Sequence, residues 1–240
     1  MHRIYAIGDL HLDHTGDKTM EVFGPRWENY EERIFTNWTE KVRPTDLVLL
    51  PGDISWGLKL KDAEPDLRRI DALPGTKLML RGNHDYWWQS RSKIENLGFK
   101  TIYILQNDAF EWHQAVIYGT RGWISREHSE FTEADEKIFR RELQRLELSF
   151  RQSSDRPVRI AMTHYPPFNH RREPNEFFDI MKKNKTDLCI YGHLHGQGHA
   201  QIREGSVEGT EVLCVSADYT GFSPRLLTEV DDENSNRQGL

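Results

Sequence analysis

The sequence predicts a single α/β domain. Short apolar runs of strand length alternate with longer stretches of helical periodicity. The apolar runs are continuous, as in strands buried on both faces of a sheet. No internal repeat, low-complexity tract or linker divides the 240 residues, a length ample for a deep core. The domain is expected over residues 1–230, with the polar residues 231–240 (DDENSNRQGL) as a flexible tail.

Each element has its own signal. Residues 4–7 are apolar and run straight into charged residues, without a long apolar stretch or a small-residue cleavage site, so they read as a first strand and not as a leader. Trp27, Tyr30, Ile34 and Trp38 recur at helical spacing and Pro44 closes that helix. A second strand is expected at 47–50, a helix at 63–73 ended by Pro74-Gly75, and a third strand at 77–80. A short helix follows at 91–97 with Gly98 as its C-cap. Residues 101–124 read as strands and turns, and 101–150 as an insertion able to form a lid or a partner surface. The longest helix runs from the N-cap Thr132 to Phe150, with Phe131, Ala134, Ile138, Leu146 and Phe150 on its apolar face and charged residues on the other. Strands at 158–162 and 188–191 enclose a helix at 176–183, and strands and turns return over 201–227.

Composition removes several classes of function. The chain is 29% charged with a mean hydropathy of −0.74, and no run approaches the roughly 18 apolar residues of a membrane span. Cys189 and Cys214 both lie in apolar runs and make no disulfide framework, which fits a reducing cytoplasm. A net charge of −6 argues against non-specific nucleic-acid binding unless a local basic patch overrides it.

The chemistry-bearing residues follow the apolar runs. They are Gly8-Asp9-Leu10-His11, Gly52-Asp53, Gly82-Asn83-His84-Asp85, Thr163-His164 and Gly192-His193-Leu194-His195-Gly196. In open α/β sheets ligands bind beyond the carboxyl ends of the strands, so loops distant in sequence can converge there. Asp9, His11, Asp53, Asn83, His164, His193 and His195 offer carboxylate, imidazole and amide donors without a thiolate. That set suits divalent Mn, Fe or Zn without choosing between them. Seven donors exceed one tetrahedral site but serve two ions if one carboxylate bridges.

This ordered pattern, D-x-H, G-D, G-N-H-D, H and G-H-x-H, resembles that of the calcineurin-like metallophosphoesterase superfamily, and the motifs span positions 8 to 196. The resemblance implies a four-layer α/β/β/α sandwich with a dinuclear centre at one end of its two sheets. It places Asp9, His11, Asp53 and His195 around one divalent ion and Asp53, Asn83, His164 and His193 around the other, with Asp53 shared. It further implies a phosphohydrolase that cleaves phosphate mono- or diesters through a metal-bridging hydroxide. A small-molecule phosphoester is then the expected substrate, and protein partners stay open. A scaffold that keeps the fold without chemistry, or a nuclease, are the alternatives.

His84 is not needed as a ligand and is expected to stabilise the transition state or to act as general acid. Asp85 orients His84, holds the loop, or simply caps a turn. His170, Arg171 and Arg172, downstream of His164, are expected to meet an acidic group of the substrate or to form a solvated turn. Trp56, Tyr86, Trp87, Trp88 and Trp123 either stack on a base or pack the loops. His199 is placed near the rim, and Arg81 is left as a surface charge or a support for the site.

Overall fold

The computed structural model describes residues 1–232, and the expected tail lies outside them except for Asp231 and Asp232. Two sheets carry the fold. The first has the order β11-β1-β2-β3-β4, from Arg225–Val230, His2–Ala6, Leu47–Leu50, Thr76–Met79 and Ile102–Ile104. Strands β1 to β4 are parallel, and β11 is antiparallel to β1. The second sheet has the order β5-β6-β7-β8-β10-β9, from Ala109–Trp112, Ala115–Thr120, Val158–Thr163, Leu188–Tyr191, Thr210–Cys214 and Gly205–Val207. Its four central strands are parallel, with β5 and β9 antiparallel at the edges.

Alternation along the strands builds the layers. Ile4, Ala6, Leu47 and Leu49 face Ile117, Ile160, Met162 and Ile190 of the other sheet in a dry central layer. The alternate residues Tyr5, Val48 and Leu50 turn outward, onto helices α1 (Tyr30–Lys41) and α2 (Leu60–Ala72) and the short α3 (Arg91–Glu95). On the far side Val116, Tyr118, Ala161 and Cys189 pack under α4 (Glu133–Phe150) and α5 (Glu176–Lys183). The result is the expected α/β/β/α sandwich. Central strands covered on both faces, such as β2 and β8, read as continuous apolar runs, while edge strands such as β5 and β11 carry exposed and charged residues.

Several local expectations are corrected. Trp27 is buried but lies in the 3-10 turn Pro25–Trp27, because Asn29 adopts a left-handed φ of 51° and starts the helix afresh at Tyr30. Helix α2 begins at Leu60, three residues early, where the Asp62 carboxylate accepts from the Lys59 N–H at 3.1 Å. The buried stripe of α4 is Phe139, Glu142, Leu146, Ser149 and Phe150, while Ala134 is exposed. Polar Glu142 and Ser149 belong to that stripe because each finds a partner inside: Thr120 Oγ1 donates to Glu142 at 2.7 Å and the Gly119 N–H donates to Ser149 at 3.0 Å. Residues 101–150 are no insertion. They supply β4, β5, β6 and α4, which complete both sheets and one outer layer.

Lys77, in the middle of β3, is fully buried. Its ammonium donates to the Leu73 carbonyl at 2.5 Å, to the Gly75 carbonyl at 2.9 Å and to Thr101 Oγ1 at 2.9 Å, closing the turn after α2. Replacement Lys77→Met leaves those carbonyls without a donor and is expected to cost about 2 kcal/mol. Urea unfolding of the two chains measures it, and an unchanged midpoint would show that the turn holds without the ammonium.

Candidate metal centre

The two sheets converge at the carboxyl ends of their parallel strands. There Gly8 forms a parallel bridge to Ser216, and the Gly8 N–H donates to the Val215 carbonyl at 2.7 Å. The loops after β1 and β2 run on side by side: the N–H groups of Asp9, His11 and Leu12 donate to the carbonyls of Gly52, Asp53 and Ile54, each at 3.0 Å. Pairing of this kind fixes the spacing between Asp9, His11 and Asp53 before any ligand arrives.

Aiming the side chains inward costs backbone strain. Asp9, His11, Asp53 and His193 have φ of 59°, 46°, 54° and 72°, the left-handed region that non-glycine residues avoid at a cost of about 1 kcal/mol or more each. Glycine is required where the carboxylates press on backbone. A Cβ at Gly82 would fall 2.1 Å from Asp53 Oδ1, and one at Gly192 would fall 2.5 Å from Asp9 Oδ2.

All seven sequence-predicted donors are brought together. His11 Nε2 faces His195 Nε2 at 3.3 Å and Asp53 Oδ2 at 3.7 Å, and His195 Nε2 lies 3.5 Å from Asp9 Oδ1. On the other side His164 Nε2 lies 2.5 Å from Asn83 Oδ1 and 3.5 Å from Asp53 Oδ2, and His193 Nδ1 lies 2.9 Å from Asn83 Oδ1. The His164 Nδ1–H donates to the Pro51 carbonyl at 2.9 Å, which leaves its Nε2 as a lone-pair nitrogen. An unprotonated nitrogen pressed against an amide oxygen is a meeting of two acceptors, and a cation shared by both resolves it. The ligand atoms of Asp9, His11 and His195 lie within 4.8 Å of one another, as do those of Asp9, Asp53 and His164. The residues therefore fit a metal centre, on the chemistry of the donors and on their convergence.

Electrostatics agree with this reading. Burial, reinforced by the charges of Asp85 and Asp9, pushes the Asp53 carboxyl well above its ordinary range. Burial tends to raise Asp9 too, but His195, His164 and His11 overcome it and hold Asp9 low. Burial pushes His11 and His164 down, and His193 down to about 3, so these imidazoles are neutral and free to ligate. His195 is the exception. Burial acts to lower it, but Asp9 and the hydrogen bond to Asp218 raise it to about 10.

Asp218 was not singled out by the sequence. It lies just beyond β10, where a strand-end carboxylate was the only available signal. Its Oδ1 lies 3.1 Å from His195 Nδ1, its Oδ2 accepts from the Gly196 N–H at 3.0 Å, and His199 Nε2 reaches the same oxygen at 3.1 Å. Asp218 thus sets the ring orientation of His195, and the rim histidine His199 lies beside it.

Asp85 is fully buried and accepts from the N–H groups of Gly82 at 2.7 Å, Asp53 at 2.9 Å and Ile54 at 2.8 Å, and from Trp87 Nε1 at 3.0 Å. These partners are backbone N–H groups and an indole, not the His84 ring, and they tie the loop after β3 to the loop after β2. Trp56 stacks on His11 with centroids 4.7 Å apart, and Trp87 is buried, so both pack the loops. His170 lines a cavity of about 310 Å³ together with Trp123, Tyr165, Phe168 and His193. Arg171 and Arg172 are exposed and stand outside its lining.

The chain belongs to the calcineurin-like phosphoesterase family, which it matches over residues 2–197. It is 28% identical over 142 residues to the uncharacterized protein MJ1445 of Methanocaldococcus jannaschii, covering 58% of this chain and 76% of that protein. Its fold is similar to that of the Aquifex aeolicus protein of unknown function AQ665, with a TM-score of 0.50 and 21% identity over 94% of this chain and 96% of that one. It is also similar to the phosphopantetheinyl hydrolase PptH of Mycobacterium tuberculosis, with a TM-score of 0.55 and 12% identity over 94% and 95% of the two chains. Among the described residues no helix is long and apolar enough to cross a membrane.

Two outcomes follow from the second layer of contacts. Asp218→Ala is expected to weaken metal binding by about 10–100-fold while the chain stays folded, read by competition with a metal-binding dye. Because Asp9 and Asp218 keep His195 protonated at neutral pH in the metal-free chain, loading metal at pH 7 should release a proton. Calorimetry in buffers of different ionisation enthalpy reads that proton directly, and a heat independent of buffer would contradict the assignment.

Proposed function

We propose that this chain is a dinuclear metal-dependent phosphohydrolase acting on phosphate mono- or diesters of small molecules. The observation that carries the reading is the pair of donor groups that face each other across the single carboxylate of Asp53, with His11 Nε2 at 3.7 Å and His164 Nε2 at 3.5 Å from the same Oδ2 atom. Asp9, His11, Asp53 and His195 would hold one divalent ion, and Asp53, Asn83, His164 and His193 the other. When bound, two such ions neutralise the phosphoryl oxygens and acidify water for attack at phosphorus.

The chain's own residues supply the rest. The His84 N–H donates to Asp53 Oδ1 at 2.8 Å, and its ring lies 5.6 Å from His11 and 4.9 Å from Trp56 between centroids. Its Nδ1 is buried without a partner, so a polar atom beside the donor cluster waits for an oxygen. His84 contacts a phosphoryl or leaving-group oxygen as that oxygen gains charge. The cavity beside His193, walled by Trp123, Tyr165 and Phe168, receives the organic part of the ester and keeps bulk water from it, with His170 at its lining. Deletion of metal should remove all turnover, and manganese should restore it.

The test is a screen of metal-reconstituted protein against p-nitrophenyl phosphate, bis-p-nitrophenyl phosphate and a nucleotide panel. Cleavage of at least one ester is expected. No cleavage by protein carrying two ions would favour a metal-binding scaffold. His84→Ala is expected to retain both ions and to lose about 10²–10⁴-fold in kcat. Metal analysis beside steady-state kinetics checks both halves, and a fully active variant would remove His84 from the chemistry.

A further inference from the structure

A second cavity, of about 330 Å³, opens at the carboxyl ends of β3 and β6 and is lined by three arginines and one carboxylate. Arg81 leaves the end of β3, Arg121 leaves the end of β6, and Arg145 and Glu142 come from α4. Glu142 is buried and already engaged. It accepts from Arg145 Nη1 at 2.8 Å and from Thr120 Oγ1 at 2.7 Å, and it lies 3.6 Å from both Arg121 Nη2 and Arg141 Nε. The lining itself holds the three guanidiniums of Arg81, Arg121 and Arg145 against the one carboxylate of Glu142, which leaves about two positive charges uncompensated there.

Hydrogen bonding leaves the same deficit. The Nε–H groups of Arg81 and Arg121 are both buried without an acceptor. Among the described residues no ion pair or side-chain hydrogen bond engages the Arg81 guanidinium. The Arg121 guanidinium lies 4.4 Å from the centre of the Trp123 ring, which fixes its plane but offers no oxygen. Folded chains rarely leave buried donors open, since each costs about 1–3 kcal/mol and more when charged. The planar fork of arginine matches a tetrahedral oxyanion with two oxygens per contact.

The cavity adjoins the metal centre without being part of it. Arg81 stands two residues before Asn83, and the Arg121 carbonyl accepts from the N–H groups of His164 at 3.1 Å and Tyr165 at 2.9 Å. We propose that this cavity binds a phosphate-type oxyanion, gripped by Arg81, Arg121 and Arg145, beside the metal centre and separate from it. The anion comes either as a second phosphate tethered to a group at the metals or as a free ion, and both use the same contacts.

Calorimetric titration of the manganese-loaded chain with orthophosphate and with pyrophosphate separates these sources, comparing the wild type with Arg145→Gln and, independently, Arg81→Gln. Arg145 is half-exposed at the surface of α4, so its replacement spares the core. For a free ion, orthophosphate fills two sites on the wild type, and the variants weaken one of them by about tenfold or more. For a tethered phosphate, the variants weaken pyrophosphate by a similar factor. Crystals of the loaded chain soaked in selenate should show a selenium peak in the cavity, with selenate oxygens within hydrogen-bonding distance of Arg81 and Arg121. A single orthophosphate site, with both anions bound equally by wild type and variants and no selenium in the cavity, overturns the proposal. No readout requires turnover, so failure of the hydrolase reading and failure of this one are seen separately.

Discussion

The rest of the site depends on the burial of one carboxylate. Asp53 is 1% exposed, sits near the charges of Asp9 and Asp85, and is pushed well above the ordinary carboxyl range by burial and by them. Taking a carboxylate out of water is tolerable only with compensating positive charge or donors. Here it receives one strong hydrogen bond, from the His84 N–H to Oδ1, while Oδ2 faces imidazole nitrogens on either side. That imbalance is the physical argument for cations. It also explains why neighbouring glycines, the paired loops and the Asp85 clamp are arranged around this atom.

Such a constellation needs a rigid frame, and the four layers provide it. Asp9, His11, Asp53 and His193, in left-handed backbone, would relax toward ordinary conformations if the loops were free. They are held because the loops after β1 and β2 are hydrogen-bonded to each other, and because Asp85 ties the loop after β3 to the loop after β2. The His164 loop is fixed in turn by the Arg121 carbonyl, and the Gly192 N–H donates to the His164 carbonyl at 3.1 Å. Burial of the central strands supplies the cohesion against which the strain is held.

Much of this was legible in the sequence because burial on both faces writes continuous apolar runs. Strands 47–50 and 188–191 have the bounds the pattern predicts, as does helix α5. The donor residues could be picked out because they follow strand-like runs, with glycine in the same short motif for all of them except His164. What was not legible has a common cause, that tertiary partners decide it. Glu142 and Ser149 sit in the buried stripe of α4 through partners on β6, which shifted that stripe away from Ala134. Lys77 is buried in a strand because four oxygen atoms, from the last turn of α2, the turn after it and Thr101, surround its ammonium. Asp218 carries no motif and gains its meaning only from the spatial approach of His195. The placing of β11 beside β1 joins opposite ends of the chain, and no local signal encodes it.

The proposed function has two cations sharing Asp53. Anomalous diffraction at the manganese edge, from crystals of the manganese-loaded chain, addresses it most directly. Two peaks per chain are expected, one on the side of His11 and His195 and one on the side of His164 and His193, both in contact with Asp53. A single peak, or density that avoids Asp53, would contradict it.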